Sequence, residues 1–178
     1  MSTVFPVDKV FALCCTKYPE REPALLKELN RVGVLEKTLV VHTFENPFDD
    51  VFIPAVDHVS KIDRAPAFFN LTMGHYGILK TALALNIEKI LVVEDDCRFI
   101  KDFGHLRDSL ARAPKDWDAL ILDAFLWKGN NTAGWQSCGF WRSAAALCMR
   151  KSFLQKMVAC IERCLDKTTK AHSTRCEA

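Results

Sequence analysis

Short apolar segments alternate along this chain with longer segments of helical periodicity, and this alternation limits the possible folds more than any other feature. Five apolar segments predict strands, at residues 10–15, 38–44, 89–94, 118–123 and 143–149. Helical patterns lie between or after them, at residues 19–32, 66–86, 102–113 and 152–166. The alternation predicts an α/β fold, a three-layer Rossmann-like domain with a mostly parallel sheet and helices on both faces.

Length and composition agree with one globular domain. The chain has 178 residues, of which 49% are hydrophobic and 26% are charged, close to the averages of globular proteins. We expect a single domain over residues 1–166 and a polar, flexible tail over residues 167–178. The 24 basic and 22 acidic residues leave a net charge of +2. Nucleic-acid-binding domains concentrate far more basic charge, so no nucleic-acid partner is expected.

The sequence favours a cytoplasmic location. No apolar run approaches the roughly 18 residues of a transmembrane helix, and residues 1–8 show no secretion signal. In that compartment the eight cysteines would be reduced thiols. Their spacing contains no Cys-x-x-Cys pair, so we expect buried apolar thiols rather than a zinc site.

Three consecutive acids, Glu94, Asp95 and Asp96, follow the apolar residues 90–93. Carboxylates placed so closely at the end of a buried strand repel one another and need a counter-charge. Mg²⁺ or Mn²⁺ suits the role, because these cations prefer oxygen ligands and also bind phosphate. If the backbone stays extended, Glu94 and Asp96 share one face of it. Ligands of parallel sheets bind beyond the carboxyl ends of the strands, which is where these acids are predicted to lie.

The same acids have a second interpretation. They can simply end a strand and cap the following helix, with Arg98 and Lys101 as counter-charges. The tripeptide alone favours neither interpretation.

A set of short motifs around the acids resembles a known enzyme family. Three stretches stand in order: residues 70–75 (Asn-Leu-Thr-Met-Gly-His), residues 79–83 (Leu-Lys-Thr-Ala-Leu) and residues 90–96 (Ile-Leu-Val-Val-Glu-Asp-Asp). Their order and spacing resemble the core of glycosyltransferase family 25, the lipopolysaccharide-biosynthesis galactosyltransferases and collagen galactosyltransferases. Weaker matches lie at residues 7–10, 17–21, 54–57 and 142–157. The resemblance implies a GT-A-type hexosyltransferase that moves galactose or glucose from a UDP-sugar to an acceptor hydroxyl on a glycan.

The resemblance also implies a metal site. Asp96 and Glu94 would hold Mn²⁺ or Mg²⁺, with Asp95 nearby in the donor site, and the metal would hold the diphosphate. The departing diphosphate gains negative charge, which a bound cation offsets. The acceptor would be a glycan or a lipid-linked molecule, so the location would be the cytoplasm or the inner face of a membrane, with peripheral contact to the lipid.

Four further residues are candidates for donor binding. Thr16 and Arg21 follow the first predicted strand, where a hydroxyl group and a guanidinium suit a nucleotide. Asp57 and His75 would lie near the ribose or the base if the family pattern holds. Asp123 ends the fourth predicted strand and is the candidate catalytic base for the acceptor hydroxyl.

Each candidate also has a structural interpretation. Arg21 can pair with Glu20 or Glu22 on the surface, and His75 can be a core histidine. The two aspartates, Asp57 and Asp123, can serve a turn and a strand end.

Two other functions compete with sugar transfer. The family's Pro-x-Asp segment is not found beyond the last predicted helix, which favours a catalytically impaired or partner-dependent glycosyltransferase-like module that binds a nucleotide sugar. A dinucleotide-dependent oxidoreductase ranks last, because residues 14–17 after the first strand (Cys-Cys-Thr-Lys) contain no glycine for close approach to a pyrophosphate.

Overall fold

The structure is a computed structural model that describes residues 6–43, 65–99, 103–122, 125–126, 131–132, 135–136, 141–142 and 145–176. The described residues form four α-helices, α1 (Arg21–Arg31), α2 (Ala65–Ala84), α3 (Phe103–Ala111) and α4 (Lys151–Cys176), and a short 3₁₀ helix at Leu35–Lys37. The main sheet contains β1 (Lys9–Cys15), β2 (Thr38–Thr43), β3 (Lys89–Glu94), β4 (Ala119–Ile121) and β9 (Ala146–Arg150). Four two-residue strands form two small pairs, β5 (Phe125–Leu126) with β8 (Trp141–Arg142) and β6 (Asn131–Thr132) with β7 (Trp135–Gln136).

The main sheet is mostly parallel, as the sequence predicts. Its strand order is β2-β1-β3-β9-β4. Strand β1 pairs in parallel with both β2 and β3, while β9 runs antiparallel to both β3 and β4. The direction of β9 is the one departure within this sheet from a fully parallel arrangement.

Helices cover both faces of this sheet, so the three-layer α/β architecture is confirmed. Side chains alternate between the faces along β1. Val10, Ala12 and Cys14 pack in one core with residues of α1 and α3, whereas Phe11 and Leu13 pack in the other with residues of α2 and α4. Burial on both faces explains why β1 and β3 are continuously apolar. Among the described residues, no helix is long and apolar enough to cross a membrane.

A glycine lets α2 lie close to the ends of β1 and β2. A Cβ atom at Gly74 would lie 2.5 Å from Cγ2 of Thr43 and 2.9 Å from Cδ1 of Leu13. Both distances are shorter than real Cβ contacts, so only glycine fits here without movement of its neighbours. This close approach brings the next residue, His75, to the end of the sheet.

Two parts of the chain depart most from the sequence-based prediction. The last helix is predicted to end at Asp166, but α4 continues to Cys176, so the polar segment predicted as a tail is helical as far as that residue. The reason is that residues 151–178 contain no glycine or proline to end a helix. Residues 131–132 and 135–136, for which the sequence pattern predicts neither a strand nor a helix, form the β6–β7 pair.

Candidate functional site

The three neighbouring strands β2, β1 and β3, which pair in parallel, end side by side. In the register of the sheet, the ends of β1 and β2 pair Cys15 with Thr43, and Leu13 pairs with Glu94 at the end of β3. Residues that follow these strands therefore meet at one edge. In open α/β sheets this edge is where ligands bind, and the candidate residues Thr16, Arg21, His75 and 94–96 lie there.

Asp95 joins two of these strand ends. Its side-chain Oδ2 accepts a hydrogen bond from the backbone N–H of Cys15 at 2.8 Å, and its Oδ1 accepts one from Nη1 of Arg21 at 3.3 Å. The residue is only 6% exposed. A buried carboxylate needs hydrogen-bond donors and a counter-charge, and Cys15 and Arg21 supply them. The counter-charge of Asp95 is thus provided by an arginine that lies 74 positions away in the sequence.

Arg21 is held between Asp95 and an aromatic ring. Its guanidinium carbon lies 4.1 Å from the centroid of the Tyr18 ring, a cation–π distance. The hydrogen bond to Asp95 is the main reason that the pKa of Arg21 is raised. The alternative interpretation paired Arg21 with a neighbouring glutamate on the surface. The ion pair that the structure gives for Arg21 is instead the one with Asp95. Glu22 has its own partner, because its Oε2 lies 2.7 Å from Nε2 of His42.

His75 contacts the first acid of the triad. Its Nε2 lies 3.2 Å from Oε1 of Glu94, and both side chains are half-buried. The backbone N–H of Glu94 donates to the carbonyl of Ala145 at 2.8 Å, which fixes the end of β3. His75 is therefore a site-edge residue with a carboxylate partner rather than a histidine enclosed in the core.

The acids lie in a turn, not on an extended strand. The backbone N–H of Cys97 donates to the carbonyl of Glu94 at 3.0 Å, the hydrogen bond that closes a β-turn. Asp95 and Asp96 are its central residues. The expectation that Glu94 and Asp96 share a face of an extended backbone is therefore wrong. The turn instead buries Asp95 and leaves Asp96 exposed.

Thr16 connects β1 with β2. Its backbone N–H and its hydroxyl group both donate to the carbonyl of Thr43 at 3.1 Å. The structure thus places the hydroxyl at the predicted edge of the sheet and engages it with the neighbouring strand. Its expected hydrogen bond to a nucleotide stays a prediction.

Two candidates lie outside the described residues, Asp57 and Asp123. The same is true of Lys101, one of the two counter-charges in the capping interpretation of the acids. The other, Arg98, donates from Nη1 to the carbonyl of Cys97 at 2.8 Å. The described contact that neutralises Asp95 comes from Arg21.

The described residues do not form a cage of three or more His, Cys, Asp or Glu side chains arranged for a metal. The residue with an exposed carboxylate is Asp96, and Glu94 contacts His75 through one oxygen, Oε1. Magnesium commonly takes one or two carboxylates and completes its shell with water and substrate phosphates. Binding of a cation by Asp96 and Glu94 stays a prediction.

Six cysteines of the described part of the chain are free thiols: Cys14, Cys15, Cys97, Cys148, Cys160 and Cys164. Cys14, Cys97 and Cys148 are buried, as expected, whereas Cys160 and Cys164 are exposed on α4. Burial raises the pKa of Cys14 and of Cys148 to about 12. Those two thiols stay protonated at neutral pH and are unsuited to nucleophilic or metal-binding roles.

The sequence pattern missed three features of this edge. They are the pairing of Arg21 with Asp95, the stacking of Arg21 on Tyr18 and the contact of His75 with Glu94. One signal was available for the first pairing, since opposite charges follow two apolar strands that an α/β fold places near each other. Nothing in the spacing indicated Tyr18.

Comparison with known proteins leaves the family open. No protein-family model and no curated protein matches the chain. Among solved structures, the chain is similar to a cytidylyltransferase from Leptospira borgpetersenii serovar Hardjo-bovis, with 16% sequence identity and a TM-score of 0.42. The match covers 83% of this chain, which spans 62% of that protein. A likeness this distant carries nothing about activity, and the resemblance to family 25 rests on the sequence motifs alone.

Proposed function

We propose that this chain is a glycosyltransferase domain that binds a UDP-hexose and a divalent cation at the carboxyl edge of its sheet and transfers the hexose to a glycan hydroxyl. The observation that carries the proposal is the turn after β3. It presents the exposed Asp96 beside a buried Asp95 that fixes a cationic side chain, Arg21. The family motifs in the sequence indicate the substrate class.

Arg21 supports binding of a diphosphate. Its Nη1 contacts Asp95, while a guanidinium carries further N–H groups on Nε and Nη2 in a planar fork that suits phosphate. The ion pair and the Tyr18 ring hold this cation in place before a ligand arrives. Such preorganisation reduces the entropy that binding must remove.

The acids support a cation shared with the substrate. Asp96 would hold the metal, and Glu94 would join it, oriented by His75. When bound, Mg²⁺ or Mn²⁺ would act as a Lewis acid that offsets the charge of the departing diphosphate. Each of these residues would have its own task. Asp96 would bind the cation, His75 would orient Glu94, and Asp95 would position Arg21. Asp123 stays the proposed base for the acceptor hydroxyl.

A second candidate function is a module that binds the nucleotide sugar without turnover. One observation favours it. Two of the three acids already have protein partners. Asp95 contacts Arg21 and Cys15, and Glu94 contacts His75. Fewer carboxylate oxygens are therefore left to bind a cation.

Isothermal titration calorimetry with UDP and Mn²⁺ tests the proposal. The variants are Asp96→Asn and, as a control, Asp116→Asn, an exposed acid that precedes β4 at the opposite edge of the sheet. We expect the parent and the control to bind UDP alike. Asp96→Asn should weaken binding by about tenfold or more, because a contact to a charged group is worth roughly 1.5–3 kcal/mol.

The outcomes separate the candidates. Equal binding by Asp96→Asn and the parent would remove the metal assignment. Binding of UDP without hydrolysis or transfer from UDP-galactose and UDP-glucose would favour the non-catalytic module. Failure of the parent to bind UDP with Mn²⁺ would reject both.

A further inference from the structure

Helix α1 contacts the chain on both sides of the exposed Asp96. At the first residue of the helix, Nη1 of Arg21 donates to Oδ1 of Asp95, which directly precedes Asp96. Near the other end of the helix, two side chains contact the backbone of Phe99, three residues after Asp96. One helix therefore holds both flanks of this acid. The contacts with Phe99 have no part in the site as described so far.

Two charged side chains of α1 bind both backbone polar groups of Phe99. Oε1 of Glu28 accepts a hydrogen bond from the N–H at 2.9 Å, and Nη2 of Arg31 donates to the carbonyl at 2.7 Å. Phe99 belongs to no helix or strand, so these groups need partners from elsewhere. Glu28 and Arg31 supply the donor and the acceptor that a neighbouring strand would give. We call this pair of side chains the α1 clamp.

The α1 clamp is preorganised because its two members also bind each other. Nε and Nη2 of Arg31 donate to Oε2 and Oε1 of Glu28 at 2.9 and 2.6 Å, a bidentate geometry that adds strength and directional specificity. The side chain of Glu28 is only 16% exposed. The hydrogen bonds from Arg31, more than any other cause, lower the pKa of Glu28 to about 2, so the pair is fully charged at neutral pH.

Burial fixes the residues between the α1 clamp and the turn. Cys97 is 6% exposed and belongs to the same apolar core as Leu25 and Leu29 of α1, and Phe99 packs against that core. The backbone N–H of Cys97 closes the turn on the carbonyl of Glu94. Movement of Phe99 would therefore act, through two residues, on the hydrogen bond that shapes the turn.

We propose that Glu28 and Arg31 are positioning residues of the candidate site, which hold Phe99 against α1 and thereby fix the turn that presents Asp96. The proposal rests on the proposed function, because the position of Asp96 affects binding only if Asp96 meets a ligand. Side chains that support a metal ligand without touching the metal commonly contribute tenfold or more to affinity. The α1 clamp would have this role from the far end of a helix.

Three single variants of α1 separate positioning from long-range electrostatics. Arg31→Ala removes a positive charge and Glu28→Gln removes a negative charge, so a general electrostatic effect would shift the affinity for a charged ligand in opposite directions. Positioning predicts a loss of affinity in both variants. Lys27→Ala is the control, because it removes a positive charge from an exposed residue of the same helix.

Two measurements are made on each protein. Hydrogen exchange at the backbone amide of Cys97, followed by NMR without ligand, reports on local opening of the turn, and calorimetry with UDP and Mn²⁺ reports on the site. We expect Arg31→Ala to speed this exchange about tenfold and to weaken UDP binding about tenfold. Glu28→Gln should change both by about fivefold, because its amide oxygen still accepts from Phe99. Lys27→Ala should match the parent.

Each contrary result has a distinct meaning. Unchanged exchange at Cys97 in both clamp variants would show that the α1 clamp does not hold the turn. Opposite shifts in UDP affinity would show an electrostatic effect, and faster exchange with unchanged UDP affinity would show that the turn does not position a ligand-binding residue. Any of these results overturns the positioning proposal and leaves the proposed function standing.

Failure of the parent to bind UDP with Mn²⁺ would reject the proposed function, and the positioning proposal with it. Thermal unfolding of each variant checks its folding. Glu28→Gln carries the comparison with Lys27→Ala if Arg31→Ala is unfolded.

Discussion

The carboxylate of Asp95 accepts the backbone N–H of Cys15 at 2.8 Å, so a side chain that follows β3 closes the end of β1. The same carboxylate holds Arg21. One acid of the triad thus organises the edge of the sheet, while the next, Asp96, is exposed to solvent. The different environments of these neighbouring acids follow from the turn that contains them, which buries Asp95 and exposes Asp96.

Replacement of Asp95 by asparagine should destabilise the fold. Asp95→Asn keeps an oxygen acceptor but removes the charge that pairs with Arg21 and strengthens the bond from Cys15. We expect a loss of about 1–2 kcal/mol, below the value for a fully buried charged hydrogen bond because Arg21 is partly exposed. Urea denaturation measures it, with Asp116→Asn as the control. Equal stability of the two variants would contradict the structural role of Asp95.

Two glycines on one helix provide a matched pair. Gly74→Ala places a Cβ against Thr43 and Leu13, whereas a Cβ at Gly77 meets nothing within 4 Å. We expect Gly74→Ala to cost about 1–3 kcal/mol through overpacking and Gly77→Ala to stabilise by about 0.5–1 kcal/mol through helix propensity. The difference in urea midpoint between the two variants measures both effects. Stabilisation by Gly74→Ala would show that α2 does not pack this closely on the sheet.

Stability in acid should depend on Glu28. Hydrogen bonds from Arg31 and from the backbone N–H of Phe99 lower its pKa from 4.5 to about 2. A lowered folded-state pKa stabilises the protein above the ordinary pKa, and this contribution disappears as pH falls through the lowered value. The free energy of unfolding of the parent should therefore exceed that of Glu28→Gln at neutral pH, and the excess should shrink between pH 4.5 and pH 2. Denaturation curves across that window measure it, and a constant excess would contradict the lowered pKa.

Cation binding should depend on the nucleotide. With only Asp96 and Glu94 proposed as protein ligands, Mn²⁺ lacks the oxygens of a complete site until phosphates join it. We expect weak binding of Mn²⁺ alone and binding at least about tenfold tighter in the presence of UDP. Titration of Mn²⁺ by electron paramagnetic resonance, with and without UDP, measures both affinities. Tight binding of Mn²⁺ alone would point to further protein ligands.

The residue pattern made three strands predictable. Predicted residues 10–15, 38–44 and 89–94 agree with β1, β2 and β3 to within one residue at each end. Burial on both faces leaves the interiors of β1 and β3 apolar, whereas β2, a partly exposed edge strand of the described sheet, is rich in β-branched residues. The antiparallel direction of β9 was not predictable, since the apolar pattern of a short strand is the same whether the strand runs parallel or antiparallel to its neighbours.

Contacts within the site were harder to predict than its location. The acids were correctly placed at a strand end, yet the turn at Asp95 and Asp96 depends on a single backbone bond from Cys97 to Glu94. The pairing of Asp95 with Arg21 spans 74 positions in the sequence and follows only from parallel pairing of β1 with β3. The residue types therefore predicted that the candidate site lies at the carboxyl edge of the sheet. Which of the acids is buried depends on tertiary contacts that the sequence pattern does not show.

The most direct test of the central claim is a crystal structure of the protein with UDP and Mn²⁺. The proposed function predicts the metal at the carboxyl edge of the sheet, about 2.0–2.2 Å from a carboxylate oxygen of Asp96, as expected for a small divalent cation, and bridged to the diphosphate. A structure with UDP bound elsewhere, or with Asp96 remote from both metal and phosphate, would contradict it.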